Sequence, residues 1–325
     1  MSTHRTAKLS FVVDQQAIQA MSLSPSQKFV ALACKDVVRI IKIHSDSMFF
    51  LHKSPLDLKK KGNFSLNDVS WSSDSVNVAV STSTGSIIVL NVKDTRVVWD
   101  SGDTTQSLNK ICWHPSEQNI LASTGQDGSI KIWPLSAKGP QVCFSYHEPC
   151  KAVCFEYHYP YRIAAVYENG NLNIWDMRKE KSPLHKINAH IETGLSVAWH
   201  PHLPNTLATG SRDKTVKIWS LSNPQATVFH PSATLHTSSS VSQVAWRPID
   251  GATDKKLQLA TSSTNSPDVC LWTLGSPNYP ACVLGGLSNP CAGFAWLDTP
   301  SAQVEEVPAR VSGTIDWFAF FQSSV

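Results

Sequence analysis

An excess of charge of either sign is nearly missing from the 325-residue chain. Its 28 Lys and Arg stand against 25 Asp and Glu, a formal net charge of +3. That balance carries no electrostatic footprint for a nucleic-acid partner. Long apolar runs are also missing. No stretch approaches the ~18 consecutive apolar residues that would cross a bilayer as a helix, so no direct membrane insertion is expected. The opening stretch, MSTHRTAKLSFVV, has basic residues but no apolar centre of signal-peptide length. The expected compartment is therefore the cytosol or nucleus. No segment carries a convincing helical stripe longer than three turns. The eight cysteines include no C-x-x-C pair, and several lie in β-like runs such as KAVCF and DVCLW. They are expected to be buried, reduced and to pack as small hydrophobes, without zinc or disulfides. G-x-S-x-G, H-E-x-x-H and G-x-x-x-x-G-K-[ST] are all absent, which leaves no signature for an esterase elbow, a zinc protease or a phosphate loop. No enzyme activity, cofactor, metal or small-molecule substrate is expected.

What the chain has is a repeat. Its hydrophobic content, 42%, is enough for a substantial core. The phrase LATGSRDKTVKIWSL, Leu207 to Leu221, has a near copy in ILASTGQDGSIKIWPL and another in RIAAVYENGNLNIWDM. Weaker copies are FVALACKDVVRIIKI, NVAVSTSTGSIIVLNV and QLATSSTNSPDVCLWTL, and ARVSGTIDWFAFFQ is a degenerate last one. Each follows a second shared phrase: AMSLSP, DVSWSS, KICWHP, AVCFEY, SVAWHP, QVAWRP or GFAWLD. The anchors of these phrases are Leu23, Trp71, Trp113, Phe155, Trp199, Trp246 and Trp296, 42 to 50 residues apart. Seven units at that period, built of short β-branched runs punctuated by Asp127-Gly128 and Asn169-Gly170, predict four-stranded sheets repeated around a ring.

This pattern resembles the WD-repeat family of β-propellers over nearly the whole chain. The resemblance implies an all-β, seven-bladed propeller spanning residues 1–325 as one domain. Blade seven, about 291–325, would take its first strand near Phe294–Trp296, its second near Val311 and its third at Phe318–Phe321. The N-terminal strand, about 8–13, would complete it and remove an exposed sheet edge. The resemblance also implies a hydrogen-bonded tetrad, for which blade five supplies all four members: His190, Thr209, Asp213 and Trp219. Blade three keeps Ser123, Asp127 and Trp133 without a His; blade four keeps Trp175 with Asn169 in place of the Asp. A His, a hydroxyl and an Asp could suggest a hydrolytic triad. Partial copies around the ring favour a structural role, because a buried indole N–H and hydroxyl need acceptors.

Three features address function. Residues just before the turn position, Ser83, Gln126, Glu168 and Arg212, fall on the rim where the family places partner-contacting side chains. Their mixed charge disfavours a phosphate reader. The loop LHKSPLDLKKKGNFSLND carries Lys59, Lys60 and Lys61, a short basic run for an acidic partner or an anionic membrane surface, or simply a solvated loop. Trp175, Asp176 and Arg178 fit the box by which some propellers dock onto a cullin-ligase adaptor. Agreement outside the tetrad is more specific. LHKSPLDLKKKGNFSLNDVSW, YENGNLNIWDMRK, SVAWHPHLPNTLATGSRDKTVKIW and VSQVAWRP are similar to the N-terminal propeller of the WD repeat-containing protein 24 family of SEA/GATOR subunits. That resemblance implies a scaffold with other protein subunits as partners. It would regulate TOR complex one in response to amino acids at the cytosolic face of the lysosome or vacuole. A cullin-type substrate receptor and a soluble peptide or cargo receptor are the alternatives. The longer members of that family carry a helical region and a Cys/His-rich zinc-binding module, for which this chain has no motif.

Overall fold

The computed structural model describes residues 3–6, 18–35, 37–43, 48–54, 64–94, 96–102, 106–179, 181–223, 228–248, 257–285, 290–297 and 317–322. Among them every helical or strand element is a strand, and each repeat folds as an antiparallel meander. Blade one comprises Ile18–Leu23, Phe29–Cys34, Val38–Ile43 and Met48–Ser54, and blade two Leu66–Trp71, Asn77–Thr82, Ile87–Asn91 and Val97–Asp100. Blade three is Leu108–Trp113, Ile120–Gly125, Ser129–Pro134 and Val142–Ser145. Blade four is Cys150–Phe155, Arg162–Tyr167, Asn171–Asp176 and His185–Asn188. Blade five runs Gly194–Trp199, Thr206–Ser211, Thr215–Ser220 and Ala233–His236, and blade six Val241–Trp246, Gln258–Ser263, Val269–Thr273 and Cys282–Gly285.

The second strands are buried along nearly their whole length, as in VAL and IAAV, because both of their faces meet neighbouring blades. The core is accordingly divided among blade interfaces. One cluster joins Ile40 and Ala31 of blade one to Trp71 and Val80 of blade two. Another joins Ile132 and Phe144 of blade three to Phe155 and Tyr167 of blade four. The hairpin turns also meet their neighbours. Gly128 and Gly170 have φ of 74° and 81°. A Cβ at either would run into backbone carbonyls of the loop that leads to the next blade, Tyr146 and Glu148 or His190 and Glu192. Those sites therefore need glycine for space as well as for φ.

Successive first strands pack side by side and so line the central axis. Two kinds of hydrogen bond join them. Where the anchor is a tryptophan, its indole donates back to the preceding first strand: Trp71 Nε1 to Ser22 O at 2.9 Å, Trp113 to Ser70 O at 3.0 Å and Trp199 to Cys154 O at 3.1 Å. Trp246 donates to Ala198 O at 3.0 Å and Trp296 to Ala245 O at 3.3 Å. Three residues before the anchor, a side chain reaches forward to a backbone N–H of the next blade. Asp68 Oδ2 accepts from Ile111, Ser196 Oγ from Val244 and Gln243 Oε1 from Phe294, at 2.9, 3.1 and 3.4 Å. Phe155 cannot donate; there the His114 ring packs edge-on at 5.0 Å.

The expectation of seven blades is not met. Six blades are formed, and the last unit supplies a two-stranded sheet among the described residues. Its strands, Cys291–Leu297 and Trp317–Gln322, pair directly, with Phe294 opposite Phe320. The segment assigned to a third strand thus occupies the second place. Val311 lies outside the described residues, as do Lys8–Val13. Ahead of that stretch, Thr3–Thr6 forms a strand that pairs in parallel with Cys282–Gly285. It adds a fifth strand to blade six and covers the edge of that blade. Cys291–Leu297 packs on Ile18–Leu23 of blade one, where Gly293 faces the Met21 side chain with no room for a Cβ.

Trp246→Phe keeps an aromatic six-membered ring but removes one inter-blade donor together with part of the buried indole. It should lower the unfolding free energy by about 1–2 kcal/mol, read as a lower urea midpoint at unchanged slope. An unchanged midpoint would show that the indole bonds do not hold neighbouring blades together.

Candidate functional site

The loop before blade five carries His190, the second strand Thr209, the hairpin turn Asp213 and the third strand Trp219. The fold brings all four together. Trp219 Nε1 donates to Thr209 Oγ1 at 2.9 Å, and Thr209 Oγ1 lies 2.8 Å from His190 Nε2. His190 Nδ1 meets Asp213 Oδ2 at 2.9 Å. With Nδ1 protonated and Nε2 accepting, a neutral imidazole satisfies every group in one direction. Burial pushes the His190 pKa down, against the opposing pull of Asp213. Burial alone would raise Asp213, but bonds from Thr215 and His190 outweigh it and hold the carboxyl below its usual range. Thr209 is 0% exposed, and its oxygen already takes the indole N–H. No substrate can reach that hydroxyl, so the arrangement is a structural lock rather than a triad.

Partial versions recur. In blade three Trp133 Nε1 donates to Ser123 Oγ at 2.8 Å, while Asp127 Oδ1 accepts from the Ser129 N–H and hydroxyl, the latter at 2.6 Å. Blade four replaces the Thr by Tyr167, whose Oη accepts from Trp175 Nε1 at 3.1 Å. The Tyr146 ring packs on Tyr167 at 4.4 Å, where blade five has His190. Blade six pairs Trp272 Nε1 with Thr261 Oγ1 at 2.9 Å. The Tyr167 and Thr261 acceptors were not expected. The signal for both was available, because each lies on a second strand whose paired third strand carries a Trp.

The rim residues share one backbone position. The N–H groups of Ser83, Gln126, Glu168 and Arg212 donate to Ser65, Ser107, Pro149 and Thr193 carbonyls, at 2.8 to 3.0 Å. Gln126, Glu168 and Arg212 are exposed and Ser83 half-buried. Lys151 Nζ bridges Glu168 at 3.2 Å and Gln126 Oε1 at 3.5 Å. Ser83 Oγ accepts the Ser65 N–H at 3.0 Å. Arg212 is exposed, and so is Ile191, a side chain 90% exposed. The Ile191 N–H is itself held by Asp213 Oδ2 at 3.4 Å, so the tetrad fixes this part of the rim.

In the other candidate box, Trp175 and Asp176 are buried. Arg178 forks onto Asp176 at 2.9 and 2.7 Å, and its guanidinium stacks 3.6 Å from the Tyr161 ring centre. Lys59, Lys60 and Lys61 lie outside the described residues. The cysteines do not all behave as buried hydrophobes. Cys34, Cys150 and Cys291 are buried, but Cys143 is exposed on an outer strand and four are intermediate. Among the described residues no group of three or more His, Cys, Asp or Glu is arranged to hold a metal ion. No helix of the described residues is long and apolar enough to cross a membrane.

Two histidines of the Trp-His-Pro phrases set a pH dependence. His200 Nδ1 accepts the N–H groups of His202 and Leu203 at 3.1 and 2.9 Å, and its ring packs 4.8 Å from Trp246. Burial and the neighbouring His202 and His158 push its pKa down to about 4. His114 is likewise lowered by burial. The unfolded chain takes up these protons near pH 6.5 and the folded chain does so lower. Stability is then full above pH 6.5 and falls as the pH drops toward 4. The melting temperature should fall between pH 7.5 and 5, and His200→Asn, with an acceptor in place of Nδ1, should flatten the profile. An equal fall in the variant would remove His200 from the account.

The model of the family described as "MIOS, WD40 repeat" matches residues 71–250. GATOR2 complex protein WDR24 of Homo sapiens is 28% identical over 293 residues, covering 85% of this chain and 35% of that protein. Its Xenopus laevis counterpart is 28% identical over 304 residues, covering 91% and 38%. Restriction of telomere capping protein 1 of Kluyveromyces lactis is 25% identical over 256 residues, covering 63% and 19%. The chain thus spans about a third of the length of the WDR24 relatives it matches. A chain in a crystal structure of the mitotic checkpoint complex aligns with a TM-score of 0.69 at 17% identity, over 85% of this chain and 79% of that one, which shows the fold. With the six blades, the latches and the rim in place, and a family match that covers more than half of its residues, the chain belongs to the MIOS, WD40 repeat family.

Proposed function

We propose that the chain is a non-enzymatic WD-repeat scaffold in a GATOR2-type assembly, acting in the amino-acid-dependent control of TOR complex one. The observation that carries this is the similarity to GATOR2 complex protein WDR24 along 85% of the chain. The geometry agrees with a binding role. The only hydroxyl–His–carboxylate chain among the described residues is sealed from solvent at Thr209. The rim residues, by contrast, are held by repeated backbone bonds, and Gln126, Glu168 and Arg212 are exposed. Rigid presentation lowers the ordering cost of association. Partners are other protein subunits, and attachment to the lysosomal or vacuolar surface would run through them.

On this reading the exposed rim is a docking surface, and Arg212 is its unscreened cation, since Lys151 already neutralises Glu168. Arg212→Glu should lose partner subunits at near-physiological salt by tenfold or more, about 1.4 kcal/mol upward, with an unchanged melting curve. Lys61→Glu should alter mainly the salt dependence of capture. The measurement is quantitative co-purification from cells at two salt concentrations. Retention of every partner by Arg212→Glu, with loss in Lys61→Glu, would move the docking site to the basic loop. Recovery of a cullin adaptor in place of assembly subunits, abolished by Arg178→Ala, would overturn the scaffold assignment.

A further inference from the structure

The second strand of blade four, Arg162–Tyr167, leads into the rim residue Glu168, so its first residue lies at the end of the blade away from the rim. There two arginines and two tyrosines form a stacked array. Arg162 Cζ lies 4.5 Å from the Tyr159 ring centre and Arg178 Cζ 3.6 Å from that of Tyr161, and the two ring centres are 6.3 Å apart. Each guanidinium is backed by a buried carboxylate. Arg178 forks onto Asp176 at 2.9 and 2.7 Å. Arg162 is 3.7 Å from Glu156, and both are tied to Asn205 of blade five: Arg162 donates to its side-chain oxygen at 2.8 Å, and Glu156 accepts its N–H at 2.9 Å. Bonds from Arg178 hold the Asp176 carboxyl below its usual range, so that pair stays charged at neutral pH.

The repeat does not need these side chains. Tyr161 O accepts the Met177 N–H at 2.9 Å, and Asn119 O and Asn205 O make the same bond in blades three and five, to Leu135 and Leu221, at 2.8 Å. Asparagine thus serves where blade four has Tyr161, and Ser136 and Ser222 stand where it has Arg178. The array is also open on its cationic side. The Arg178 and Arg162 side chains are 61% and 29% exposed, against 3% and 1% for Asp176 and Glu156. Lys179 and Lys181 are exposed in the same segment, while Glu180 lies outside the described residues. Negative charge is therefore held inside and positive charge outside, on the two residue types, Tyr and Arg, that dominate protein interfaces.

We propose that this array is a second docking surface, at the end of the ring away from the rim, for an acidic segment of a partner protein that carries an aromatic side chain. The carboxylates of the segment meet Arg178, Lys179 and Lys181. Its ring stacks on the outer face of the Arg178 guanidinium, whose inner face lies on Tyr161. The stacks and the fork exist before the segment arrives, so little side-chain freedom is lost on binding. Because the donors of Arg178 are committed to Asp176, the arginine offers its face and its charge rather than a free fork. The surface goes beyond the rim reading and needs neither Arg212 nor the tetrad.

The test pans a display library of short random peptides against the full chain and measures labelled hits by fluorescence polarisation at two salt concentrations. The enriched peptides should combine Asp or Glu with Trp, Tyr or Phe and bind more weakly as salt rises. Tyr161→Ala and Arg178→Gln should each weaken them by about tenfold. Arg178→Lys keeps the charge and loses the planar face, and should weaken them by about fivefold. Both Arg178 variants exchange an exposed side chain, so the result does not hang on the folding of Tyr161→Ala. Arg212→Glu should leave binding unchanged, which separates this surface from the rim. No enrichment, enriched peptides without acidic residues, equal binding by Arg178→Gln and the unaltered chain, or hits released by Arg212→Glu would overturn the surface.

Discussion

The ring stands on the bond between an indole N–H and the backbone carbonyl of the blade before it. A four-stranded meander of this size has two apolar faces and cannot bury either alone. Burial comes only from stacking on neighbours, and stacking by itself is non-directional. The anchor tryptophans make it directional. Each large ring fills the interface while its one polar atom finds a single acceptor, so the contact fixes both the angle and the register of adjacent blades. The forward bonds of Asp68, Ser196 and Gln243 act from the other side of the same first strands. Where the anchor is Phe155, packing by His114 takes over.

The tetrad is a second layer built on that frame. It acts inside blade five, tying the incoming loop to the hairpin and the third strand through Thr209 and His190. Because Asp213 also holds the Ile191 backbone, a buried network with no catalytic access still shapes the outer rim. Structure and function are coupled here through rigidity. A surface whose backbone is bonded at every repeat can present Gln126, Glu168 and Arg212 to a partner without first ordering them. Burial of the neutral histidines adds an acid sensitivity to the same framework.

Much of this was legible in the sequence, because repetition makes weak local signals reinforce one another. The anchors from Leu23 to Trp296 located the first strands, and Asp-Gly and Asn-Gly located the hairpins. The tetrad residues follow from an indole and a hydroxyl ten residues apart on adjacent strands. Three things were not legible. The order of strands in the last unit depends on which strand pairs with Cys291–Leu297, and the Phe-rich run that pairs there had been placed one strand farther out. The N-terminal strand forms its backbone bonds with blade six, and backbone bonds carry no side-chain signature. The acceptors Tyr167 and Thr261 escaped because a tyrosine hydroxyl in place of threonine, or a shifted turn, preserves the chemistry while breaking the motif. The cysteines show the same limit: hydrophobic context did not separate the buried Cys34, Cys150 and Cys291 from the exposed Cys143.

Hydrogen exchange of the native chain tests most directly whether inter-blade latches make the ring one cooperative body. First-strand amides held across blade boundaries, such as those of Ile111 and Val244, should exchange together with the second-strand amides of all six blades. All should share one opening free energy and respond alike to denaturant. Independent opening of single blades, each with its own free energy and denaturant dependence, would contradict the account.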